Sequence, residues 1–192
     1  MGRALRRSDS GGHDLFVRFV STRLDGLLIV EPEKQDDSRG FFARTWCQRE
    51  FAAQSLNVPW VQCSISFNER SGTLRGLHFQ ALPYEETKLV RCTMGAIYDV
   101  VVDVRPDSKT FKQWEAFELT AENRKMLYIP QGFAHGFQTL VDQTEVFYQI
   151  SAFYSPIASR GHRYDDPVLA IEWPLEVSKI SEKDQAWPLI LG

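Results

Sequence analysis

The chain has 192 residues and a mass of 22.1 kDa, with 43% hydrophobic and 24% charged residues, enough for one domain with a core of its own and short for two. Lys and Arg number 22 against 25 Asp and Glu, a formal net charge of −3, so no overall field draws in nucleic acid or an anionic membrane. Cys47, Cys63 and Cys92 are too few, and odd in number, for a disulfide framework.

Residues 1–14 are rich in Arg, Ser and Gly without an apolar stretch, which predicts a flexible tail followed by a single domain over 15–192. No apolar run reaches the roughly 18 residues that a membrane helix needs, and the cytoplasm is the expected compartment. From there, short β-type runs dominate: 27–31, 41–46, 60–67, 73–80, 88–92, 96–104, 114–119, 126–129, 134–140 and 145–151. Gly, Pro, Asp, Asn and Ser separate them. Residues 97–105 alternate, with Tyr98, Val100, Val102 and Val104 on one face and Asp99, Asp103 and Arg105 on the other. One face suits a dry core, the other a polar cavity or solvent. A helix is predicted over 48–56 and a helical turn over 121–125. Many short strands in one domain predict an all-β fold, a sandwich or barrel of the jelly-roll kind that includes cupins.

Beyond Ser155 the periodicity fades and Pro156, Pro167, Pro174 and Pro188 appear. Ser181 looks like a helix N-cap with Asp184 three residues on, which makes Asp184 either a capping-box carboxylate or a group that the tail delivers to a site.

Four histidines, His13, His78, His135 and His162, are the whole supply of imidazole bases and ligands. In a strand over 73–80, Leu74, Gly76, His78 and Gln80 would share one face and Arg75, Leu77 and Phe79 the other. A metal-binding cupin would want a second imidazole where Gln80 stands, and an amide is a poor substitute ligand. Lys88 begins the next strand. His135 follows a Pro-Gln-Gly turn. Each histidine alone is as readily a core residue as a functional one; two in a barrel beside a lysine suggest a polar cavity.

Several segments taken together resemble the dTDP-4-dehydrorhamnose 3,5-epimerase family: Asp37-Ser38-Arg39-Gly40-Phe41-Phe42, Leu74-Arg75-Gly76-Leu77-His78-Phe79-Gln80, Lys88-Leu89-Val90-Arg91 and Asp99-Val100-Val101-Val102-Asp103-Val104-Arg105. Ile129-Pro130-Gln131-Gly132-Phe133-Ala134-His135-Gly136-Phe137, Tyr154-Ser155-Pro156, Ile171-Glu172-Trp173-Pro174 and Ser181-Glu182-Lys183-Asp184 complete the set. Their order and spacing are kept over about residues 24–189. The resemblance implies a cupin-type jelly roll with no catalytic metal and no cofactor, acting on a nucleotide-linked 4-keto-6-deoxyhexose. It implies His78 as the base, Asp184 as its partner, Lys88 as the cation that stabilises the enolate oxygen, and Tyr148 as the acid on the opposite face. It places Arg39, Phe42, Gln62, Arg75, His135, Tyr154 and Lys183 at substrate contacts. It also implies a homodimer with exchanged N-terminal strands, in which Arg39 reaches the neighbouring subunit's site.

The sequence departs from the family pattern at Arg44 and Ser159, where a Glu is common, and at Gln62-Cys63-Ser64, where Gln-Asp-Asn is usual; one extra residue lies between that segment and Arg75. These changes predict retained proton-transfer chemistry with a nucleotide or sugar other than dTDP-4-keto-6-deoxyglucose. A metal-dependent cupin enzyme and a non-catalytic sugar-nucleotide binding module are the competing readings.

Overall fold

Short apolar runs broken by turn formers pair across the chain into two antiparallel sheets. The computed structural model describes residues 16–190; the predicted tail over 1–14, with His13, lies outside them. In chain order the strands are β1 (Val17–Ser21), β2 (Leu28–Pro32), β3 (Lys34–Asp37), β4 (Gly40–Ala43), β5 (Gln62–Asn68), β6 (Leu74–Gln80) and β7 (Lys88–Met94). Then come β8 (Ala96–Asp103), β9 (Trp114–Thr120), β10 (Met126–Ile129), β11 (Phe133–Thr139), β12 (Thr144–Ile150) and β13 (Ser159–Gly161). Helices α1 (Gln48–Ala53) and α2 (Glu182–Gln185) are short. One sheet runs β1-β2-β10-β7-β12-β5, the other β13-β6-β11-β8-β9, and β3 with β4 forms a separate hairpin. This is a cupin-like jelly roll.

Three apolar layers hold it together. Val90, Leu127 and Val146 of the six-stranded sheet meet Ile97, Val101, Leu119, Phe133 and Phe137 of the five-stranded sheet between the two. On the outer face of the six-stranded sheet, Phe51 of α1 packs with Phe19, Val30, Leu89 and Met126. On the outer face of the five-stranded sheet, Leu169, Ile171, Trp173 and Ile190 of the C-terminal segment cover Leu77, Val100, Val102 and Ala134. Each fully buried Val, Leu, Ile, Phe or Met among them contributes about 1.5–3 kcal/mol. Polar ties fix this strap: Trp114 Nε1 donates to the Leu169 carbonyl at 2.7 Å, and the Gln138 amide pairs with both backbone groups of Leu175. At its far end the strap bridges to the start of β6, where Leu74 N donates to the Lys179 carbonyl at 2.8 Å.

The predicted alternation over 97–105 appears with both faces dry. Val100 and Val102 meet the strap, while Asp99 and Asp103, fully buried, face inward beside Ile97 and Val101. Strands β1, β3 and β13 are additional to the predicted set. The predicted helical turn at 121–125 is instead a turn in which Thr120 and Asn123 exchange side-chain to backbone hydrogen bonds, with Arg124 at positive φ; local Thr and Asn bonding outcompetes helix there. Helix α1 stops at Ala53 because the chain turns through Ser55 at φ 64°.

Strands β6 and β11 touch backbone to backbone. His78 faces His135, yet Arg75 faces Phe137, so β6 carries one extra residue between them. Gly76 sits there at φ +125°, and a Cβ on it would lie 2.5 Å from the Gly136 Cα. A Cβ on Gly136 would lie 2.7 Å from the Arg75 carbonyl oxygen. Only glycine at both positions permits the approach. The bulge turns Arg75 and His78, predicted to face opposite ways, toward the same side of the sheet.

Asp103 accepts from the backbone and guanidinium of Arg105 and from the hydroxyls of Ser108 and Thr110. Burial alone would raise its carboxyl pKa; these donors outweigh it and hold it at about 2, below the ordinary 3.8. A depressed folded-state pKa adds stability that is present above the unfolded value and lost as pH falls through the folded one, here about 2 kcal/mol at neutral pH. Asp103→Asn is expected to lose about that much in urea unfolding at pH 7, with the gap to wild type closing between about pH 4 and pH 2. A gap that stays constant down to pH 2 would contradict the assignment.

Candidate active site

Between the sheets opens a cavity of about 420 Å³. The five-stranded sheet supplies Arg75, His78 and Gln80 from β6 and His135 from β11. The six-stranded sheet faces it with Gln62, Ser64 and Ser66 from β5, Lys88 from β7 and Tyr148 from β12. Ser181, Lys183 and Asp184 enter from the strap, and Glu86, Tyr154 and Ser159 complete the rim.

His78 Nε2 lies 2.6 Å from Asp184 Oδ1. The same carboxylate accepts from the Gly76 backbone N–H at 3.3 Å and from the Trp187 indole N–H at 3.2 Å. Burial would raise the Asp184 pKa, but the bonds from His78, Gly76 and Trp187 hold it below the ordinary carboxylate value. Ser181 does cap α2, accepting from the Asp184 N–H at 3.1 Å. The carboxylate, however, does not turn back on the cap as a capping box would; it faces His78. One residue thus closes the helix start through its backbone and reaches the site through its side chain. The strap, pinned at Lys179 beside β6, brings it there. An imidazole that donates Nε2–H to this carboxylate keeps a lone pair on Nδ1, the form a general base needs.

Across the cavity, the Lys88 ammonium is nearly buried and lies 2.9 Å from Glu86 Oε1 and 3.3 Å from the His78 carbonyl oxygen. The Tyr148 hydroxyl is 3.3 Å from Ser66 Oγ. Burial pushes its phenol pKa well above the ordinary value, so it stands as an O–H donor at neutral pH.

His135, directly opposite His78 in the β6–β11 ladder, pairs with Asp99 at 2.9 Å. Asp99 is fully buried, and burial raises its pKa although His135 opposes the rise. The His135 ring stands edge-on to Tyr148, with centroids 6.3 Å apart. Arg75 Nε donates to Asn68 Oδ1 at 2.7 Å, Gln62 accepts from the Tyr154 backbone at 2.7 Å, and Lys183 Nζ lies 3.3 Å from Ser159 Oγ.

Eleven residues carry the sequence expectation for the site. Nine border this cavity: His78, Asp184, Tyr148, Lys88, Gln62, Arg75, His135, Tyr154 and Lys183. Arg39 and Phe42 do not. They lie on the exposed β3–β4 hairpin, where Arg39 pairs with Asp37 at 2.6 Å. Arg44 pairs with Glu50 at 2.7 Å and is likewise off the cavity wall. The Gln80 amide ties the Tyr84, Phe153 and Ser155 backbones together, a loop anchor in place of a metal ligand. Among the described residues no group of three His, Cys, Asp or Glu is arranged to hold a metal ion. Sequence reasoning missed Glu86, Asp99 and Trp187 as site neighbours. The i, i+2 spacing of Glu86 and Lys88 and the polar face of 97–105 carried a signal for the first two; nothing in the local pattern marks Trp187.

Residues 21–191 match the family model of dTDP-4-dehydrorhamnose 3,5-epimerase. The chain is 44% identical over 173 residues to the dTDP-4-dehydrorhamnose 3,5-epimerase of Methanothermobacter thermautotrophicus, covering 88% of this chain and 92% of that protein. The crystal structure of the dTDP-4-dehydrorhamnose 3,5-epimerase from Bacillus anthracis with TDP and PPi bound aligns at a TM-score of 0.88 and 40% identity, over 91% of this chain and 99% of that one. The crystal structure of the dTDP-6-deoxy-D-glucose-3,5-epimerase from Legionella pneumophila in complex with dTDP-4-keto-L-rhamnose aligns at a TM-score of 0.84 and 38% identity, over 90% of this chain and 92% of that one. A jelly roll with this pocket and these relatives defines an isomerase of sugar nucleotides. The chain belongs to the dTDP-4-dehydrorhamnose 3,5-epimerase family.

Proposed function

We propose that the protein epimerises a dTDP-linked 4-keto-6-deoxyhexose at C3 and C5 by proton removal and return within this cavity. One observation carries the mechanism. The His78–Asp184 pair stands on one wall, and Lys88 and Tyr148 stand on the other. Inversion at carbon needs this division, because the proton leaves one face and returns to the other.

The ketone at C4 acidifies the hydrogens on C3 and C5. His78 takes one as a proton, and the C–H electron pair moves into the ring to leave an enolate with its charge on the C4 oxygen. Asp184 stabilises the imidazolium that forms, and an N–H of Lys88 stabilises the enolate oxygen. Tyr148 gives its hydroxyl proton to the opposite face of the carbon. Exchange with water then reprotonates the tyrosine and deprotonates His78, so no net proton is consumed. Arg75, Lys183 and Gln62 fit diphosphate and sugar contacts, a planar guanidinium being well matched to phosphate oxygens. The presence of base, acid and cation together favours this reading over a binding module without chemistry.

For the nucleotide, the names of the relatives and the ligands in their structures support thymidine diphosphate. The departures that predict another nucleotide weigh less once placed. Arg44 is held by Glu50 away from the cavity of its own chain, and Ser64 and Ser159 are small residues on its wall.

A homodimer fits the exposed features. The β3–β4 hairpin pairs with no other strand among the described residues, and Phe42, Ile65 and Phe67 are exposed, the last two on edge strand β5. In such a dimer Arg39 and Phe42 would serve the neighbouring subunit's cavity.

In D2O the wild type is expected to introduce deuterium at C3 and C5 of dTDP-4-keto-6-deoxyglucose, while His78→Ala binds dTDP yet exchanges at least about 100-fold more slowly; exchange at the wild-type rate would remove His78 as the base. Calorimetric titration with dTDP, UDP, CDP and GDP is expected to favour dTDP, and equal or stronger binding of another nucleotide would overturn that part of the reading. Mixing Arg39→Ala and His78→Ala chains is expected to restore one of the two sites in each hybrid dimer; activity no higher than the mean of the two parents would argue against a site shared between subunits.

A further inference from the structure

The proposed mechanism gives Lys88 one task, to meet a negative oxygen, and leaves unexplained why a carboxylate sits against it. Glu86 lines the cavity, its side chain is only 11% exposed, and its Oε1 lies 2.9 Å from the Lys88 Nζ. A lysine ammonium carries three N–H donors on a stem of four rotatable bonds. Glu86 forms an ion pair with that nitrogen, and the His78 carbonyl oxygen accepts an N–H at 3.3 Å. With Lys88 itself lining the cavity, N–H donors remain to meet a ligand there. The carboxylate fixes where the nitrogen sits, and the carbonyl fixes how its rotor is turned.

We infer that Glu86 is a positioning residue, which holds the Lys88 ammonium so that an N–H is aimed in advance at the oxygen that becomes negative during proton removal. The inference deepens the proposed function and rests on it. A donor fixed before the reaction needs no reorganisation as charge develops, which is the source of oxyanion-type stabilisation. The pair also answers the burial of Lys88, since a nearly buried ammonium without a partner is costly. The required quality of residue 86 is therefore an oxygen at the right reach, and charge delivered from a shorter side chain does not replace it. This separates the inference from a purely electrostatic role.

Steady-state kinetics and deuterium wash-in on Glu86→Gln, Glu86→Asp and Glu86→Ala test it, with dTDP affinity measured by calorimetry and folding checked by circular dichroism. Gln keeps the length and an acceptor oxygen but loses the charge; Asp keeps the charge but falls short. The expected order of kcat is wild type, then Gln within about fivefold, then Asp and Ala lower by about 30-fold, with KM and dTDP affinity within about threefold throughout. Asp more active than Gln, kcat unchanged in Ala, or KM raised with kcat unchanged would each overturn the inference. Should Glu86→Ala fail to fold, the order of Gln and Asp decides alone. Absence of exchange by the wild type would instead remove the proposed function itself.

Discussion

The close approach of β6 and β11 at Gly76 and Gly136 is the constraint on which the site depends. Without a side chain at either position the strands come near enough to accommodate one extra residue in β6. That residue turns Arg75 and His78 toward one side, frees the Gly76 N–H to bond Asp184, and sets His78 across from His135. A regular strand would have kept the ladder intact and sent Arg75 away from the cavity. The geometry of the cavity is therefore a property of backbone spacing before it is a property of side chains.

Around that contact, charge is buried only in company. Asp99 has His135, Asp103 has Arg105 with two hydroxyls, Asp184 has three donors, and Lys88 has Glu86. Each pairing reduces the desolvation cost of an ion in a dry interior. It also limits rotation, so the cavity presents donors and acceptors already oriented. The same residues that make the interior polar keep it ordered.

Most of the framework was legible in sequence, because strands buried on one or both faces leave a period of two or a short apolar run between turn formers. β8 and β12 are clear examples. What escaped had physical reasons. β3 and β4 form a hairpin with polar and exposed residues, so burial imposed no pattern on β3. β13 is only three residues long and is defined by its partner β6. The β6 bulge broke the alternation on which facing was judged. In the site, the family resemblance pointed to His78, Lys88, Tyr148 and Asp184. The role of Asp184 was divided between cap and site because both uses begin at Ser181, and only the position of the strap separates them. Trp187 belongs to the same strap and is tied to the site by its indole N–H, a contact that no local spacing encodes.

His78 and Asp184 stand 106 positions apart in the chain. The strap that carries Asp184 packs over a sheet whose strands are all made before it. During synthesis the strands can pair while His78 still lacks Asp184, and the pocket is completed only as the last segment docks. Long-range closure of this kind is slow relative to local pairing. The order of translation thus separates most of the pocket's shape from its completion: a nascent or C-terminally clipped chain would have the strand-borne walls without the His78–Asp184 pair.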